Sequence, residues 1–270
     1  MRSVPTIKSS RAPTDPDKSL RKLPGAASSL VLKVQLALAA MTKKWWIVGA
    51  IVVVLVALGV TVGPWAYGKF IAESDAPAAT VSTSGAQAAT TDDIDGTWTI
   101  VPGDEANTTA AGYTVDEVLN GADVTVVGST TDVSGEVTIE NDTVTAGEVL
   151  VTTDSITTDN DRRDGQFRGN IFETATYPTA TFAFDSPVDL SSIPDDGTTT
   201  TVTAEGTLTL KDQSRPVSVE MEVLQSGDTL IASGSIPTTW ADFGIEPPSL
   251  GFVTVEDSGS VDFLINLNSE

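Results

Sequence analysis

The segment Asp161–Phe184, DRRDGQFRGNIFETATYPTATFAF, changes character twice within a short distance. Its charged first part follows Asp159 and Asn160, whose side chains favour the N-terminal cap of a helix. Pro178 marks a stop, because the residue before a proline is pushed towards extended geometry. Beyond it, aromatic and small residues alternate, which is typical of a half-buried strand. The segment therefore predicts a short helix over Arg162–Gly169, beside one opening of the fold, followed by a strand.

The same alternation of apolar and polar residues recurs along the chain after residue 93. Period two over so many segments indicates an antiparallel sheet with one dry face. Turn signals rich in Gly, Asn and Asp separate the segments. The predicted strands are 96–101, 113–116, 123–126, 136–140, 179–184, 199–211, 217–223 and 261–268.

A sheet with this many strands must protect its two open edges, and closure into a barrel removes them. We predict a mainly β fold, an antiparallel β-barrel of about eight strands with a short helical insert, preceded by one transmembrane helix. A β-sandwich is the alternative, and the long strand 199–211 and the helical insert favour the barrel. An eight-stranded barrel is just wide enough to be filled by side chains or to hold one slender ligand.

Composition excludes several classes of function. The 270 residues carry a net charge of −22, with nine basic and two acidic residues in 1–44 and six and 35 in the remainder. A domain this acidic repels nucleic acid, so we expect no nucleic-acid partner. The sequence has no cysteine and no histidine, which excludes disulfides, thiolate zinc sites and catalysis by Ser-His-Asp or Cys-His groups. We expect neither enzyme activity nor a cofactor.

Residues 45–67 predict a transmembrane helix. The run contains no charged residue and is long enough to cross about 30 Å of hydrocarbon. Aromatic residues stand at both of its ends, as they do at membrane interfaces. Two lysines in the flank 41–44 predict a cytoplasmic N-terminus and an extracytoplasmic domain, in a single-pass protein of the plasma membrane. A cleaved signal peptide is the alternative.

The remaining segments divide the chain further. Residues 1–40 are predicted to be disordered or a non-native extension, because Met41 and its basic neighbours would make an ordinary start for a membrane protein. Residues 68–93 have no apolar period and predict a flexible linker. The folded domain is then expected over 94–268.

Several short stretches of this domain together resemble one family. In chain order they include Arg163-Asp164, Tyr177-Pro178-Thr179-Ala180-Thr181-Phe182, Gly206-Thr207-Leu208-Thr209-Leu210, Arg215-Pro216-Val217 and Asp242-Phe243-Gly244-Ile245. No single stretch is specific, but their combination and order make the domain similar to the YceI-like family of lipocalin-like polyisoprenoid-binding domains. The sequence departs from the family in two places, with Tyr113-Thr114-Val115 where His-Ser is common and Asp212-Gln213 where Gly-Val is usual.

The resemblance implies a lipocalin-like barrel whose apolar tunnel holds a polyisoprenoid or other apolar lipid, such as a polyprenyl lipid or a quinone tail, without catalysis. The membrane, reached through the helix 45–67, is the second expected partner. A cell-envelope structural or interaction module with a filled barrel and an acidic surface is the alternative function. The sequence offers little support for a third possible function, that of an envelope hydrolase.

Candidate site residues fall into two groups. An elongated apolar cavity is expected, reached by four residues of the first group, Phe167, Phe172, Phe182 and Trp240, although a dry, filled core explains the same residues. The tunnel candidates are Tyr113, Phe167, Phe172, Phe182, Phe184, Trp240, Phe243 and Phe252. The head-group or lid candidates are Arg162, Arg163 and Arg168. Salt bridges to neighbouring acidic residues are the alternative role for the arginines, and we expect no metal site, since the acidic residues of 154–161 lack the spaced loop of a calcium site.

Overall fold

The computed structural model describes residues 43–63, 66, 75, 77–91, 93–119, 121–251 and 253–269. The predicted extension 1–40, Met41, the candidate Phe252 and part of the predicted transmembrane run, residues 64–65 and 67, lie outside these ranges. Helix α1 spans Lys43–Gly63. Its side chains are exposed. The helix is long and apolar enough to cross a membrane.

The rest of the described chain is mainly β, as the alternation predicts. Helix α2 spans Asp161–Gln166 and continues as a π-helical turn over Phe167–Ile171, which confirms the predicted short helix. Two 3-10 turns occur at Thr153–Ser155 and Trp240–Phe243. The strands are β1 (Gly96–Val101), β2 (Ala110–Leu119), β3 (Ala122–Thr130), β4 (Val133–Ile139), β5 (Thr143–Thr152), β6 (Thr179–Phe184), β7 (Val188–Asp189), β8 (Thr199–Leu210), β9 (Gln213–Ser226), β10 (Thr229–Thr239), β11 (Ser249–Leu250) and β12 (Val253–Ser269).

Eight strands close into an antiparallel barrel in the order β1-β4-β5-β6-β8-β9-β10-β12, and β12 pairs again with β1. The predicted barrel is therefore confirmed and the sandwich is not. The β2–β3 hairpin lengthens one side of the wall. Residues 266–269 of β12 pair with β1, and residues 253–264 pair with β2. Strand β2 thus continues the line of β1, and β3 leads into β4.

The register identifies the side chains that point into the barrel. On β8, Val202, Ala204, Gly206 and Leu208 are buried, whereas the residues that alternate with them are more exposed. Val202 lies opposite Met221 of β9, and Ala204 lies opposite Val219. Directly opposite residues of antiparallel strands share a face, so the inner face can be followed from strand to strand around the ring. We call these positions the inward rows.

One end of the barrel, called here the helical end, carries α2, the β2–β3 turn and the β8–β9 turn. The ladder has two gaps there. Strand β5 ends at Thr152, and the chain returns to the sheet only at Thr157, which bridges to Ser129 of β3. Strands β9 and β10 pair only as far as Met221 and Gly234. The α2 segment follows the first gap, and the turn Trp240–Phe243 follows the second.

Residues 77–91 run along the outside of the barrel, and we call them the strap. The backbone N–H of Val81 donates to Ser233 Oγ at 3.1 Å, and that of Gln87 donates to Ser226 Oγ at 3.0 Å. Ser233 and Leu264 are opposite each other on outward rows, yet they are only 4% and 1% exposed. The predicted flexible linker 68–93 needs correction over this part, because hydrogen bonds hold the strap on the barrel wall.

Candidate functional site

Helix α2 begins at the cap that the sequence predicts. The Asn160 side chain accepts hydrogen bonds from the backbone N–H groups of Arg162 at 3.0 Å and Arg163 at 3.4 Å. The buried Asp164 carboxylate accepts hydrogen bonds from the Thr158 backbone N–H at 2.9 Å and its hydroxyl at 2.7 Å. A six-residue helix is not stable by itself in water. These side-chain bonds supply part of what holds it.

Arg163 joins α2 to the barrel wall. Its Nη2 donates to Glu117 Oε1 at 3.1 Å, and its Nη1 donates to Asp159 Oδ1. Glu117 lies on the inward row of β2 and is 6% exposed. Burial by itself lowers the pKa of Arg163, but the hydrogen bonds and charges of Asp159 and Glu117 outweigh burial and raise the pKa. The carboxylates of Glu117 and Asp159 therefore both bind the Arg163 guanidinium.

Three of the predicted tunnel residues meet beneath α2. The ring centroids of Tyr113 and Phe167 are 5.3 Å apart, and those of Phe167 and Phe172 are 5.4 Å apart. Tyr113 lies on the inward row of β2, where a Cβ added to Gly128 would come within 2.5 Å of its Cε1. Burial raises the pKa of Tyr113 to about 12, although the charge of Arg163 acts in the opposite direction.

Phe182 and Phe184 form a second aromatic group, on the wall of the barrel. Their rings meet edge to face, with centroids 5.2 Å apart. They lie on the inward row of β6, opposite Leu208 and Gly206 of β8. A Cβ added to Gly206 would come within 2.4 Å of Phe182 Cζ. The alternation in the sequence had placed both rings on one face, and the register makes that face the inner one.

Trp240 and Phe243 form a third group, at the gap between β9 and β10. Both are buried, and their 3-10 turn contacts β9, β10 and β12. The Trp240 ring packs on β12, where a Cβ added to Gly259 would come within 2.5 Å of Cζ2. Gly244 ends the turn with a left-handed φ of 65°, a conformation that glycine adopts without steric cost. The turn therefore closes the wall where the ladder is missing.

Aromatic rings cover inward glycines at five places. The pairs are Gly128 with Tyr113, Gly147 with Phe184, Gly206 with Phe182, Gly234 with Phe263 and Gly259 with Trp240. A glycine allows another group to approach the backbone closely. The rings therefore lie along the wall and take less of the space around the barrel axis.

Several inward apolar side chains remain partly exposed. A packed protein core leaves few voids larger than a water molecule, so partial exposure on the inner face indicates that side chains do not seal the interior. The residues in question are Val149, Phe182, Phe184, Val217, Val261 and Phe263. The inner wall of the barrel thus presents an apolar surface to any molecule that enters.

The residues that the structure describes form at least two clefts. One, of about 520 Å³, is lined by acidic residues that include Asp116, Asp123 and Glu256. The other, of about 360 Å³, lies beside the strap and includes Tyr113. Neither is lined by the four aromatic residues expected to reach an elongated cavity, so that cavity stays a prediction. In the described ranges, no group of three or more acidic side chains could hold a metal ion.

The other predicted arginines have different surroundings. Arg168 Nη1 donates to the Ile156 carbonyl oxygen at 3.3 Å. Arg162 is exposed, and its side chain forms no salt bridge with any residue that the structure describes. Two of the three arginines proposed from the sequence for a head group or lid, Arg163 and Arg168, thus hold the helical segment in place.

Sequence reasoning missed three contributors to this region. Glu117 is separated from Tyr113 by an even number of positions, so both lie on the same face of the strand. A carboxylate on a buried strand face indicates a buried partner of opposite charge. Phe263 alternates with Val261 in a predicted strand, so its inward orientation was readable. Lys211 donates to the Ile171 carbonyl oxygen at 3.0 Å and to a carboxylate at 2.8 Å, and no sequence signal indicated that long-range contact.

Comparison with known proteins gives a family match. The model of the family described as YceI-like domain matches residues 78–267. No curated protein matches.

Three similar solved structures share little sequence with the chain. BcnA of Burkholderia cenocepacia is 21% identical over 58% of this chain and 95% of that chain, with a TM-score of 0.47. A polyisoprenoid binding domain from Saccharophagus degradans, implicated in plant cell wall breakdown, is 18% identical over 64% and 98%, with a TM-score of 0.48. The YCEI protein of Campylobacter jejuni is 16% identical over 52% and 82%, with a TM-score of 0.38.

Proposed function

This chain belongs to the YceI-like family, and from that premise we propose that its barrel binds a long apolar lipid without chemically changing it. The observation that carries the proposal is the partial exposure of apolar side chains on the inward rows, such as Phe182, Val217 and Phe263. An apolar chain that covers such a surface gains about 25 cal/mol for each Å² removed from water. Several isoprene units therefore give useful affinity without any polar contact.

The proposed ligand is a polyisoprenoid or the tail of an isoprenoid quinone, the class that the resemblance noted in the sequence implies. A slender chain suits an eight-stranded barrel, whose interior leaves room for one small ligand at most. Absence of histidine and cysteine from the sequence removes the commonest nucleophile and base pairs, which supports binding without catalysis.

In this proposal α1 anchors the protein in the plasma membrane and the barrel lies outside the cytoplasm. Support comes from the length and hydropathy of α1 and from its exposed apolar side chains, which are unfavourable in water. Lys43 and Lys44 at its start favour a cytoplasmic N-terminus by the positive-inside rule.

Analysis of lipid that copurifies with the full chain tests the function. The chain is purified in detergent, extracted with organic solvent and analysed by mass spectrometry, beside an unrelated single-pass membrane protein purified in the same way. We expect one long-chain apolar lipid class to be enriched near one molecule per chain. Equal lipid profiles for the two proteins would contradict the proposal and favour the filled structural module.

A further inference from the structure

Basic residues of the folded domain are confined to the helical end of the barrel. From residue 75 onwards the sequence has five basic and 34 acidic residues. Acidic residues, by contrast, occur at both ends of the barrel. The basic residues are therefore not confined to one end merely because all charged residues are. The five are Arg162, Arg163 and Arg168 in the helical segment, Lys211 in the β8–β9 turn and Arg215 near the start of β9.

Three of these five cations already have structural partners. Arg163 contacts two carboxylates, Lys211 contacts Glu173, and Arg168 contacts a backbone carbonyl. Within the described ranges, Arg162 and Arg215 form no salt bridge. In the same ranges, the Arg215 side chain donates one hydrogen bond, from Nη1 to the Ser214 carbonyl oxygen at 2.9 Å. Its remaining donors are exposed to solvent.

Arg215 differs from Arg162 in its place relative to the barrel interior. Arg215 lies opposite Leu208 of β8, so it shares the inward row of β9 with Val217 and Val219. The pairing of β9 with β10 begins only at Met221, and the wall beside Arg215 therefore has no strand neighbour on that side. Arg162 lies on α2, outside every inward row.

An apolar row that ends in an exposed guanidinium matches an amphiphile with an anionic head group. A guanidinium is permanently charged and presents paired donors that fit a phosphate or a carboxylate. The net negative charge of the domain repels anions, but this repulsion is screened beyond about 8 Å in physiological salt. A local contact can therefore decide which head group is preferred.

We propose that Arg215 binds the anionic head group, a phosphate or a carboxylate, of the amphiphile whose apolar chain lies along the inward rows. This proposal rests on the proposed function, since it requires that the barrel takes an apolar chain. It assigns head-group selection to a residue on the barrel wall. Arg163 and Arg168 then have a structural role, which is to hold the helical segment on the barrel.

Binding of three probes with one common chain tests the proposal. The probes are geranylgeraniol, geranylgeranyl monophosphate and geranylgeranoic acid. Their affinities are measured with the full chain in lipid nanodiscs, and empty nanodiscs are subtracted. The variants are Arg215→Gln and, as the matched control, Arg162→Gln, which removes the other unpaired arginine. Both side chains are exposed, and equal thermal unfolding midpoints confirm that both variants fold.

We expect the wild-type chain to bind at least one anionic probe about tenfold more tightly than the alcohol. Arg215→Gln should remove that preference and leave the affinity for the alcohol unchanged, whereas Arg162→Gln should preserve it. Inorganic phosphate alone should not compete. The proposal is overturned if the alcohol binds as tightly as both anionic probes, or if Arg162→Gln removes the preference and Arg215→Gln does not. Failure of all three probes to bind would instead contradict the proposed function.

Discussion

Arg163 on α2 and Glu117 on the inner wall form an ion pair across the helical end, with Nη2 and Oε1 3.1 Å apart and the Glu117 side chain 7% exposed. The helix that carries Arg163 has six residues, too few to be stable alone. Its position over the barrel therefore depends on long-range contacts, of which this pair is the most buried ionic one described.

Loss of the Glu117 charge should loosen α2. Glu117→Gln leaves a partly buried guanidinium with one exposed carboxylate, and we expect a loss of about 1–3 kcal/mol in the free energy of unfolding. The matched control is Asp159→Asn, because Asp159 contacts the same guanidinium but its side chain is 57% exposed, and such pairs contribute about 0–1 kcal/mol. Denaturant midpoints and amide hydrogen exchange in α2 measure both effects. Equal losses for the two variants would contradict the assignment.

Ionisation of Tyr113 should destabilise the fold at high pH. Its pKa in the folded state is about 12, against 10.0 for the unperturbed side chain. Below pH 10 both states keep the proton and stability is unaffected, whereas between about pH 10 and 12 only the unfolded state loses it. Stability should therefore fall there by up to about 1.4 kcal/mol per pH unit. Denaturant unfolding across this range measures the slope, and Tyr113→Phe should make it shallower. An unchanged slope in that variant would show that other groups cause it.

A side chain at Gly206 should displace the Phe182 ring. The added Cβ would lie 2.4 Å from Phe182 Cζ and 2.5 Å from the Ala183 carbonyl oxygen, and overpacking of this kind costs about 1–3 kcal/mol. Gly165→Ala is the matched control, because nothing lies within 4 Å of its added Cβ and alanine is favoured in a helix by about 0.5–1 kcal/mol. Thermal unfolding should move down for Gly206→Ala and up for Gly165→Ala. A neutral Gly206→Ala would mean that the ring moves without cost.

A charge on the inner wall should abolish lipid binding. Phe182→Glu places an unpaired carboxylate on an inward row, where its desolvation costs far more than one lost contact. Thr181→Glu is the control, because Thr181 is the adjacent residue on the opposite face of β6. Copurified lipid per chain should fall to background for Phe182→Glu and stay at the wild-type level for Thr181→Glu. Retention of lipid by both variants would place the ligand elsewhere.

The membrane segment is expected to remain on the mature protein. A charge-free run with aromatic residues at both ends favours an anchor over a cleaved signal. N-terminal sequencing of protein extracted from membranes tests this expectation. A mature start between Ala66 and Thr90 would show that the segment is removed.

Strand β10 shows why part of the sheet could not be predicted from alternation. Its segment Leu230–Ala232 is continuously apolar, although the strand belongs to an antiparallel barrel. The strap covers the outer face here, so that Ile231 and Ser233 are buried as well as the inward residues. Period two is lost when both faces are dry. In β5 the cause is different, because Gly147 and a register irregularity in the pairing with β4 interrupt the alternation.

The candidate site was predictable where side-chain direction depends on the strand alone. Phe182 and Phe184 alternate on β6, and the prediction of a shared face needed no tertiary knowledge. The strap was misread because its contacts are largely backbone hydrogen bonds, as at Val81 and Gln87, and these leave no apolar pattern in the sequence. The role of the inward glycines could not be predicted from the sequence either, because the rings that cover them come from other strands or turns.

Pairing of β1 with β12 sets the order in which the barrel can form. Trp98 and Ser269 are neighbours in the ring, so nearly the whole domain separates the two strands that complete it. Contacts between residues so far apart in sequence slow folding, because the entropy of the intervening loop is lost before the contact is gained. Strand β12 follows β10 in the chain, so during synthesis β10 lacks its partner on that side until β12 has emerged. The partly formed barrel therefore exposes an unpaired, apolar strand edge, which favours aggregation until the ring closes.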